Sequence, residues 1–359
     1  AGQLATWAKS LDEGADILLY SCFTALGEAG QALIGDLAHL TGADVAASTN
    51  ATGSANYGGD WVLESSTGNI EVLTTFSDLT LSVWDGKLAT RTVTSSADDN
   101  TAGTLRFEIG AAATGDTILF DSARTVTLAA GVGFETITWG QADLTIDGNG
   151  STVQGNNTFR IFSSVAGAGT TTIQNLTISG GSTGGSGGGL RANNNITLTN
   201  STVSGNSAGD DGGGLGASNI TLTNSTVSGN SAGDDGGGLR ASNITLTNST
   251  VSGNSAGDNG GGLLALNDIT LTNSTIAFNV ADADNNGTGD GGGIFKSGTG
   301  TATINNSIIA QNQDLGGQAP DLSGTFNTIQ SSLIGNTTGA TITTSTNNLI
   351  NVDPLLLPL

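Results

Sequence analysis

The sequence predicts a mainly β protein, a parallel β-helix of three strands per rung preceded by a small, partial α/β unit. The segment SNITLTNSTVSGNSAGDDGGGL, residues 218–239, recurs almost unchanged at residues 242–263 and less closely at residues 194–215. Inside each unit of about 24 residues, Ile, Leu and Val alternate with Thr and Ser at the period of a strand with one buried face. The first 88 residues carry no such repeat.

The composition excludes several classes of protein. The chain of 359 residues has 57 Gly, 9 Lys and Arg against 31 Asp and Glu, and a net charge of −22. Such a charge repels nucleic acid and anionic membranes and attracts divalent cations.

The single cysteine forms no intramolecular disulfide, and no apolar run reaches the roughly 18–20 residues that span a bilayer. Because the chain begins with Ala1 and has no signal peptide, we expect a processed product or part of a longer protein.

The N-terminal unit, residues 1–88, is predicted to contain a strand, a helix, a second strand and a hairpin. The run ADILLYSC at residues 15–22 predicts a buried strand, and residues 45–48 predict another. Residues 28–41 have helical periodicity through Ala32, Leu33, Leu37 and Leu40. The turn signal STGN at residues 66–69 predicts a hairpin between strands at residues 60–64 and 70–73.

This unit resembles a known family. The stretches LYSC, LTGADVAAS and GGDW, at residues 19–22, 40–48 and 58–61, are similar to the second half of a caspase-like domain of unknown function. In large bacterial surface adhesins that domain precedes long repeat regions. The resemblance implies that Cys22 matches a cysteine that pairs with a histidine from an earlier strand, in a segment that this chain does not contain.

A Cys–His protease needs both groups within hydrogen-bond reach. His39 is the only histidine, and the family pattern places it on the surface of the helix. We therefore interpret Cys22 as a small buried hydrophobic residue. A relic of self-processing is the alternative, and a catalytic Cys22–His39 pair is the least favoured interpretation.

Residues 89–359 are predicted to form the β-helix, with an N-terminal cap near residues 103–113. The stretches GTLRFEIG, LTIDGNG and NLTISGG resemble parallel β-helix repeats of the choice-of-anchor Q and polymorphic outer-membrane-protein types. That resemblance implies a right-handed solenoid whose first rung is closed by a short amphipathic helix.

Stacked rungs explain the composition, because strands of neighbouring rungs lie about 4.8 Å apart and each residue recurs above its equivalent. Asparagine gains from such stacking through amide-to-amide hydrogen bonds. We predict a core column of Leu190, Leu215, Leu239, Leu263 and Ile294. We also predict two asparagine ladders, of Asn200, Asn224, Asn248 and Asn273, and of Asn206, Asn230, Asn254 and Asn279.

The glycosylation motif Asn-x-Ser/Thr recurs in the repeats, at Asn195, Asn200, Asn219, Asn224, Asn243, Asn248 and Asn273. If the Asn200 column faces inward, these side chains are unreachable for glycosylation. We interpret them as structural.

Acidic residues recur in the loop before each glycine triplet. Carboxylates stacked at strand spacing repel one another unless water or cations separate them, and Ca²⁺ accepts several carboxylate oxygens with flexible geometry. Solvated turn residues are one interpretation and weak calcium sites are the other. The candidate calcium ligands are Asp210, Asp211, Asp234, Asp235, Asp258 and Asp290.

No catalytic residue is predicted. Near-identical rungs argue against a polysaccharide lyase or hydrolase, because an active site needs a place where rungs differ. Arg191 and Arg240 share a column with Gly216 between them, which we interpret as a sparse face and not as a cleft.

The sequence favours a non-catalytic structural protein, extracellular or on the bacterial cell surface. We expect copies to associate head to tail, with the end rung or the apolar tail at residues 355–359 packing on the N-terminal unit of the next copy. The alternative is a carbohydrate-binding adhesin module whose partner is an extracellular polysaccharide. A polysaccharide-cleaving enzyme is least favoured.

Overall fold

The computed structural model describes residues 11, 14–21, 24–50, 52–53, 60–71, 90–129, 135–165, 167 and 169–357. The chain divides into two compact units, residues 1–91 with 113–117 and residues 92–112 with 118–359. The first is a small mixed α/β unit, and the second is a parallel β-solenoid. The predicted boundary between residues 88 and 89 lies outside the described residues.

The first unit contains β1 (Asp16–Leu19), α1 (Gly27–Thr41), β2 (Asp44–Ala47) and β3 (Ser65–Ser66). β2 pairs in parallel with β1 and antiparallel with β3. Helix α1 ends at Gly42, whose left-handed backbone (φ 74°) lets its N–H donate to the Ala38 carbonyl at 2.8 Å. A small apolar core holds the unit together and comprises Ala25, Ile34, Val45 and Ala47.

The helix predicted over residues 28–41 is confirmed, but its inward face differs from the apolar periodicity, and the predicted hairpin is wrong. Helix α1 buries Gly30 and Ile34, whereas Leu33 is 54% exposed. Gly30 faces inward because it touches the preceding backbone: a Cβ at Gly30 would lie 2.5 Å from the carbonyl carbon of Ala25. Residues 61–64 form no strand, and Ser65–Ser66, at the predicted turn, is itself a strand paired with β2.

The solenoid begins with one helix and several longer strands. They are β4 (Thr90–Val93), α2 (Leu105–Gly110), β5 (Thr117–Phe120), β6 (Thr125–Thr127), β7 (Ile137–Trp139), β8 (Thr145–Gln154), β9 (Phe162–Ser164) and β10 (Thr170–Ser179). Helix α2 lies in the segment predicted to cap the solenoid, and its Leu105 and Ile109 belong to the solenoid core. Neither α1 nor α2, the helices of the described ranges, has the length and apolar character needed to cross a membrane.

The regular rungs consist of short strands separated by turns. These are β11 (Ser182–Thr183), β12 (Leu190–Ala192), β13 (Asn195–Thr199), β14 (Thr202–Ser204), β15 (Ser207–Ala208), β16 (Leu215–Gly216), β17 (Asn219–Thr223), β18 (Thr226–Ser228), β19 (Ser231–Ala232), β20 (Leu239–Ala241), β21 (Asn243–Thr247), β22 (Thr250–Ser252), β23 (Ser255–Ala256), β24 (Leu263–Ala265), β25 (Ile269–Thr272), β26 (Thr275–Ala277), β27 (Val280–Ala281), β28 (Ile294–Lys296), β29 (Ala302–Asn305), β30 (Ile308–Ala310) and β31 (Gln313–Asp314). The last rungs are β32 (Leu322–Gln330), β33 (Leu333–Ile334), β34 (Ala340–Thr346) and β35 (Leu349–Ile350). The three predicted strands of each rung are present, and a fourth strand of two residues, such as β19, forms a ladder of its own.

Neighbouring rungs stack in parallel with equivalent residues opposite one another. β17 pairs with β21 so that Asn219, Ile220 and Leu222 lie opposite Asn243, Ile244 and Leu246. Every second side chain points inward, and the predicted core column is fully buried at Leu190, Leu215, Leu239, Leu263 and Ile294. One continuous core therefore runs through the solenoid, and each rung completes the burial of its neighbours.

The column of Asn206 and its equivalents forms a buried amide ladder. Asn230 is 1% exposed, and both its side-chain and backbone N–H groups donate to Oδ1 of Asn254 at 2.9 Å. The same double link joins Asn206 to Asn230, Asn254 to Asn279, and Asn279 to Asn312. The ladder ends on Asp321, whose Oδ1 accepts both N–H groups of Asn312 at 2.8 and 3.1 Å. Burial raises the pKa of Asp321, and these hydrogen bonds oppose the rise.

The column of Asn200 and its equivalents lies on the surface, so the inward orientation considered from the sequence is wrong. Asn200, Asn224, Asn248 and Asn273 are exposed, with φ between 50° and 52°, a left-handed turn that asparagine tolerates. Each donates its side-chain N–H to the preceding asparagine at 3.0–3.3 Å. This ladder runs opposite to the buried one and ends on Asp147, which accepts from Asn175 at 3.0 Å. The side-chain nitrogens of four of the sequon asparagines, Asn200, Asn224, Asn248 and Asn273, thus donate within this ladder.

Glycine triplets let the turns stack without a gap. A Cβ on Gly237 would lie 2.3 Å from the carbonyl oxygen of Ser255 and 2.4 Å from that of Gly261. Gly238 would place a Cβ 3.1 Å from the side-chain amide of Asn254. The triplet is therefore a steric requirement of the turn that covers the buried ladder.

The buried ladder predicts a large difference between two asparagine substitutions. Asn254→Ala removes the side-chain acceptor of the buried Asn230 backbone N–H and the side-chain donor to the Val227 carbonyl, and should lower the free energy of unfolding by about 3 kcal/mol. Asn248→Gly keeps the left-handed turn, removes only exposed amide contacts and should cost about 1 kcal/mol or less. Urea unfolding followed by circular dichroism measures both. Equal losses of unfolding free energy in the two variants would contradict the claim that the buried ladder stabilises the solenoid more than the surface ladder does.

Candidate functional site

The predicted acidic residues fall into two adjacent columns. In the outer column, the Asp234 N–H donates to the Asp210 carbonyl at 3.1 Å, and the Asp258 N–H donates to the Asp234 carbonyl at 2.9 Å. Asp282 continues this column, with its N–H 3.0 Å from the Asp258 carbonyl oxygen. Asp210 and Asp234 are exposed, Asp258 is half-buried and Asp282 is fully buried.

The inner column is formed by Asp211, Asp235, Asn259 and Asp290. Asn259 separates two of the carboxylates: its side-chain N–H donates to Oδ1 of Asp235 at 3.0 Å, and its own Oδ1 accepts the Asp290 N–H at 3.0 Å. Asp290 therefore belongs to the inner column with Asp211 and Asp235, whereas Asp258 belongs to the outer column. The longer unit between Leu263 and Ile294 places Asp282 above Asp258 and Asp290 beside them.

Burial and repulsion between neighbouring carboxylates raise the pKa values of three of these aspartates. Burial raises the pKa of Asp211; the Arg240 guanidinium, 3.4 Å away, lowers it, and Asp235 raises it. Burial also raises the pKa of Asp258, with further increases from Asp235 and Asp234. The pKa of Asp290 is raised by burial and by Asp314. The ionised columns therefore carry an electrostatic cost at neutral pH.

A loop that the sequence argument did not single out joins the two columns. Residues 282–290 read DADNNGTGD, so that Asp282, Asp284 and Asn286 have the alternating spacing of oxygen ligands in many calcium loops, and Asp290 follows four residues later. Asp282 accepts the Asn286 N–H at 2.9 Å and the Gly287 N–H at 3.2 Å. The Thr288 hydroxyl donates to Asp258 at 3.3 Å. The spacing D-x-D-x-N-G-x-x-D could have identified this loop, but the repeat alignment treated it as an insertion.

The first unit contains a second acidic group. One carboxylate oxygen each from Asp16, Asp44 and Glu71 lies within 4.8 Å of the others. The Glu71 backbone N–H donates to Asp16 at 2.8 Å. The residues that the structure describes contain no other such trio of acidic, histidine or cysteine side chains. The six predicted calcium ligands are thus arranged along two columns and do not converge on one point.

The structure gives no distance between Cys22 and His39, the pair considered for catalysis. His39 is exposed on α1, as the family pattern implied, and Cys22 lies outside the described residues.

Comparison with known proteins gives one match. Residues 1–88 match the family described as Domain of unknown function (DUF4347). The match covers the first unit and not the solenoid. Neither the curated proteins nor the solved structures contain a significant match to this chain.

The acidic columns predict that the solenoid becomes more stable on mild acidification. A carboxyl whose pKa is higher in the folded chain than in the unfolded chain favours folding when protonated, and that stability is lost as pH rises through the raised pKa. Asp211, Asp258 and Asp290 act in this way above their ordinary value of 3.8. We expect the melting temperature to rise by roughly 2–4 °C as the pH is lowered from 7.5 towards 3.8. Below 3.8 the trend should reverse, because hydrogen bonds outweigh burial at Asp147 and lower its pKa.

Scanning calorimetry of the double variant Asp211→Asn, Asp258→Asn checks this, with the exposed Asp36→Asn as control. The double variant should have a flatter pH profile, whereas the control should follow the wild type. If Ca²⁺ binds the columns, millimolar CaCl₂ should stabilise the wild type at neutral pH and the double variant less. A melting temperature indifferent to both pH and Ca²⁺ would contradict the electrostatic account.

Proposed function

We propose that the protein is a non-catalytic structural component of the bacterial surface or extracellular matrix and that its copies assemble head to tail. The observation that supports this most is the uniformity of the strand surface formed by β13, β14 and their equivalents in the next two rungs. Thr197, Thr221 and Thr245 lie opposite one another, and so do Thr202, Thr226 and Thr250. A surface that repeats in this way suits an extended scaffold better than a single reaction site.

The chemistry of the solenoid also supports a structural role. The only histidine of the chain is in the first unit. Two of the solenoid carboxylates, Asp147 and Asp321, end amide ladders and are held by hydrogen bonds from asparagine. These acids stabilise the stack of rungs, which is a different task from proton transfer to a substrate.

One surface for assembly lies at the last described rung. Within the described residues, β34 pairs with β32 and β35 pairs with β33, each on one side only. Large apolar side chains are exposed there: Leu349 by 59%, Leu355 by 79% and Leu357 by 84%. Exposed apolar residues concentrated in this way mark interaction sites.

The first unit offers a matching surface. A groove of about 460 Å³ is lined by Leu18, Trp61, Val62 and Ile70, among others, and Val62 is 57% exposed. We propose that residues 355–357 of a second copy occupy this groove. Each copy then presents one groove and one apolar segment, so the contact is heterologous and continues from copy to copy as a filament.

Complementary variants test this arrangement. Negative-stain electron microscopy of the wild type should show fibres, and Val62→Lys or Leu357→Lys should each abolish them, because a buried lysine lacks a partner. Leu266→Lys, at a side chain 38% exposed in the middle of the solenoid, is the matched control and should leave fibres intact.

A mixture of the two defective variants separates a head-to-tail contact from other associations. Val62→Lys keeps the apolar segment and Leu357→Lys keeps the groove. The mixture should therefore form dimers, and nothing larger than a dimer, in analytical ultracentrifugation. Wild-type protein that remains monomeric at all concentrations would overturn the assembly proposal. Dimers of Val62→Lys alone would show that the apolar segments of two copies bind each other, which would contradict the head-to-tail contact.

Carbohydrate binding is the second candidate function. The observation that favours it is a notch on the solenoid surface between two arginines, at a position where otherwise similar rungs carry different side chains.

A further inference from the structure

The notch lies where one rung lacks an outward side chain. Arg191 on β12, Gly216 on β16 and Arg240 on β20 occupy equivalent positions in three successive rungs. The two arginine backbones are thus about two strand spacings, or about 9.6 Å, apart. Because Gly216 has no side chain, a cavity of about 200 Å³ opens between them. The sequence-based interpretation of this column as a sparse face without a cleft is therefore wrong.

The notch concentrates positive charge in a chain of net charge −22. The Arg191 guanidinium is exposed and forms no hydrogen bond or ion pair within the described part of the chain. The Nε of Arg240 forms an ion pair with Oδ2 of Asp211 at 3.4 Å. Arg160 lies nearby and is held by the carbonyls of residues 186 and 187. Burial lowers the pKa of Arg160, and the charge of Arg191 lowers it further.

The rim of the notch is made of small polar groups. Ser186, Asn193, Ser218 and Ser242 line it beside the arginines, and its floor is Gly216 with Ala217. Serine hydroxyls and the asparagine amide can both donate and accept hydrogen bonds, as sugar hydroxyls require. No aromatic side chain is among the lining residues, so a neutral sugar would have no ring to stack on.

We propose that this notch binds the carboxylate of a sugar acid, such as a uronic acid residue in an extracellular polysaccharide. This inference rests on the second candidate function. The guanidinium groups of Arg191 and Arg240 bind the carboxylate, because their planar forks match its two oxygens. The sugar ring lies over Gly216, and the serine and asparagine side chains bind its hydroxyls. The volume of the notch accommodates about one sugar ring.

The column itself supplies the variant that blocks the notch. Leu264 and Phe295 occupy this position in the next two rungs, so the fold accepts a large apolar side chain there. A Cβ on Gly216 would have no neighbour closer than 3.6 Å. Gly216→Leu should therefore fill the notch without removing charge or disturbing the rungs.

Isothermal titration calorimetry with sodium glucuronate, trigalacturonate, glucose and sodium sulfate tests the proposal on the full chain. We expect the two sugar acids to bind and glucose to bind at least tenfold more weakly. Gly216→Leu, Arg191→Gln and Arg240→Gln should each weaken sugar-acid binding by about tenfold or more. Arg124→Gln removes a positive charge elsewhere on the solenoid and is the control.

The outcomes separate the alternatives. Sulfate binding that depends on both arginines, without binding of glucuronate, would overturn the sugar-acid assignment and leave a site for inorganic oxyanions. Sugar-acid binding that Gly216→Leu does not weaken would place the ligand elsewhere and overturn the notch. Fibre formation by Gly216→Leu should be unchanged, so that failure of the notch and failure of the assembly proposal are distinguishable.

Discussion

The double hydrogen bond from one buried asparagine to the next is the interaction on which the solenoid depends. Asn230 directs its backbone and side-chain N–H groups to a single oxygen of Asn254, and the same geometry recurs from Asn206 to Asp321. An unpaired amide at this depth would cost the full desolvation of its donors. Each rung is therefore held at the one register that places asparagine above asparagine.

The polarity of the ladders explains where the carboxylates are. Amide groups aligned in one direction polarise one another, and the chain of donors must end on an acceptor. The buried ladder ends on Asp321 and the surface ladder, which runs the other way, ends on Asp147. Among the acids of the turns, Asp211, Asp258 and Asp290 end no amide ladder, and burial raises the pKa of each.

The sequence predicts the solenoid because the repeat fixes which residues stack, and the Leu239 column follows from period alone. The sequence does not predict which asparagine column is buried. The direction of a turn side chain depends on φ, and Asn224 adopts a left-handed conformation. Asp282 was missed because an insertion displaced the alignment. The notch at Gly216 was visible as a missing side chain, but only the structure gives it a volume. In α1, the inward face depends on the contact of Gly30 with a neighbouring segment, which helical period alone does not specify.

Deletion of one whole rung tests the central claim that register between identical rungs determines the fold. Removal of residues 215–238, 24 residues, joins Gly214 to Leu239 and restores every column. Removal of residues 215–226, half as many, misaligns all later rungs. Thermal unfolding followed by circular dichroism should show a cooperative transition close to that of the wild type for the longer deletion, and loss of folded structure for the shorter one. If the two deletions were equally destabilising, the account would be contradicted.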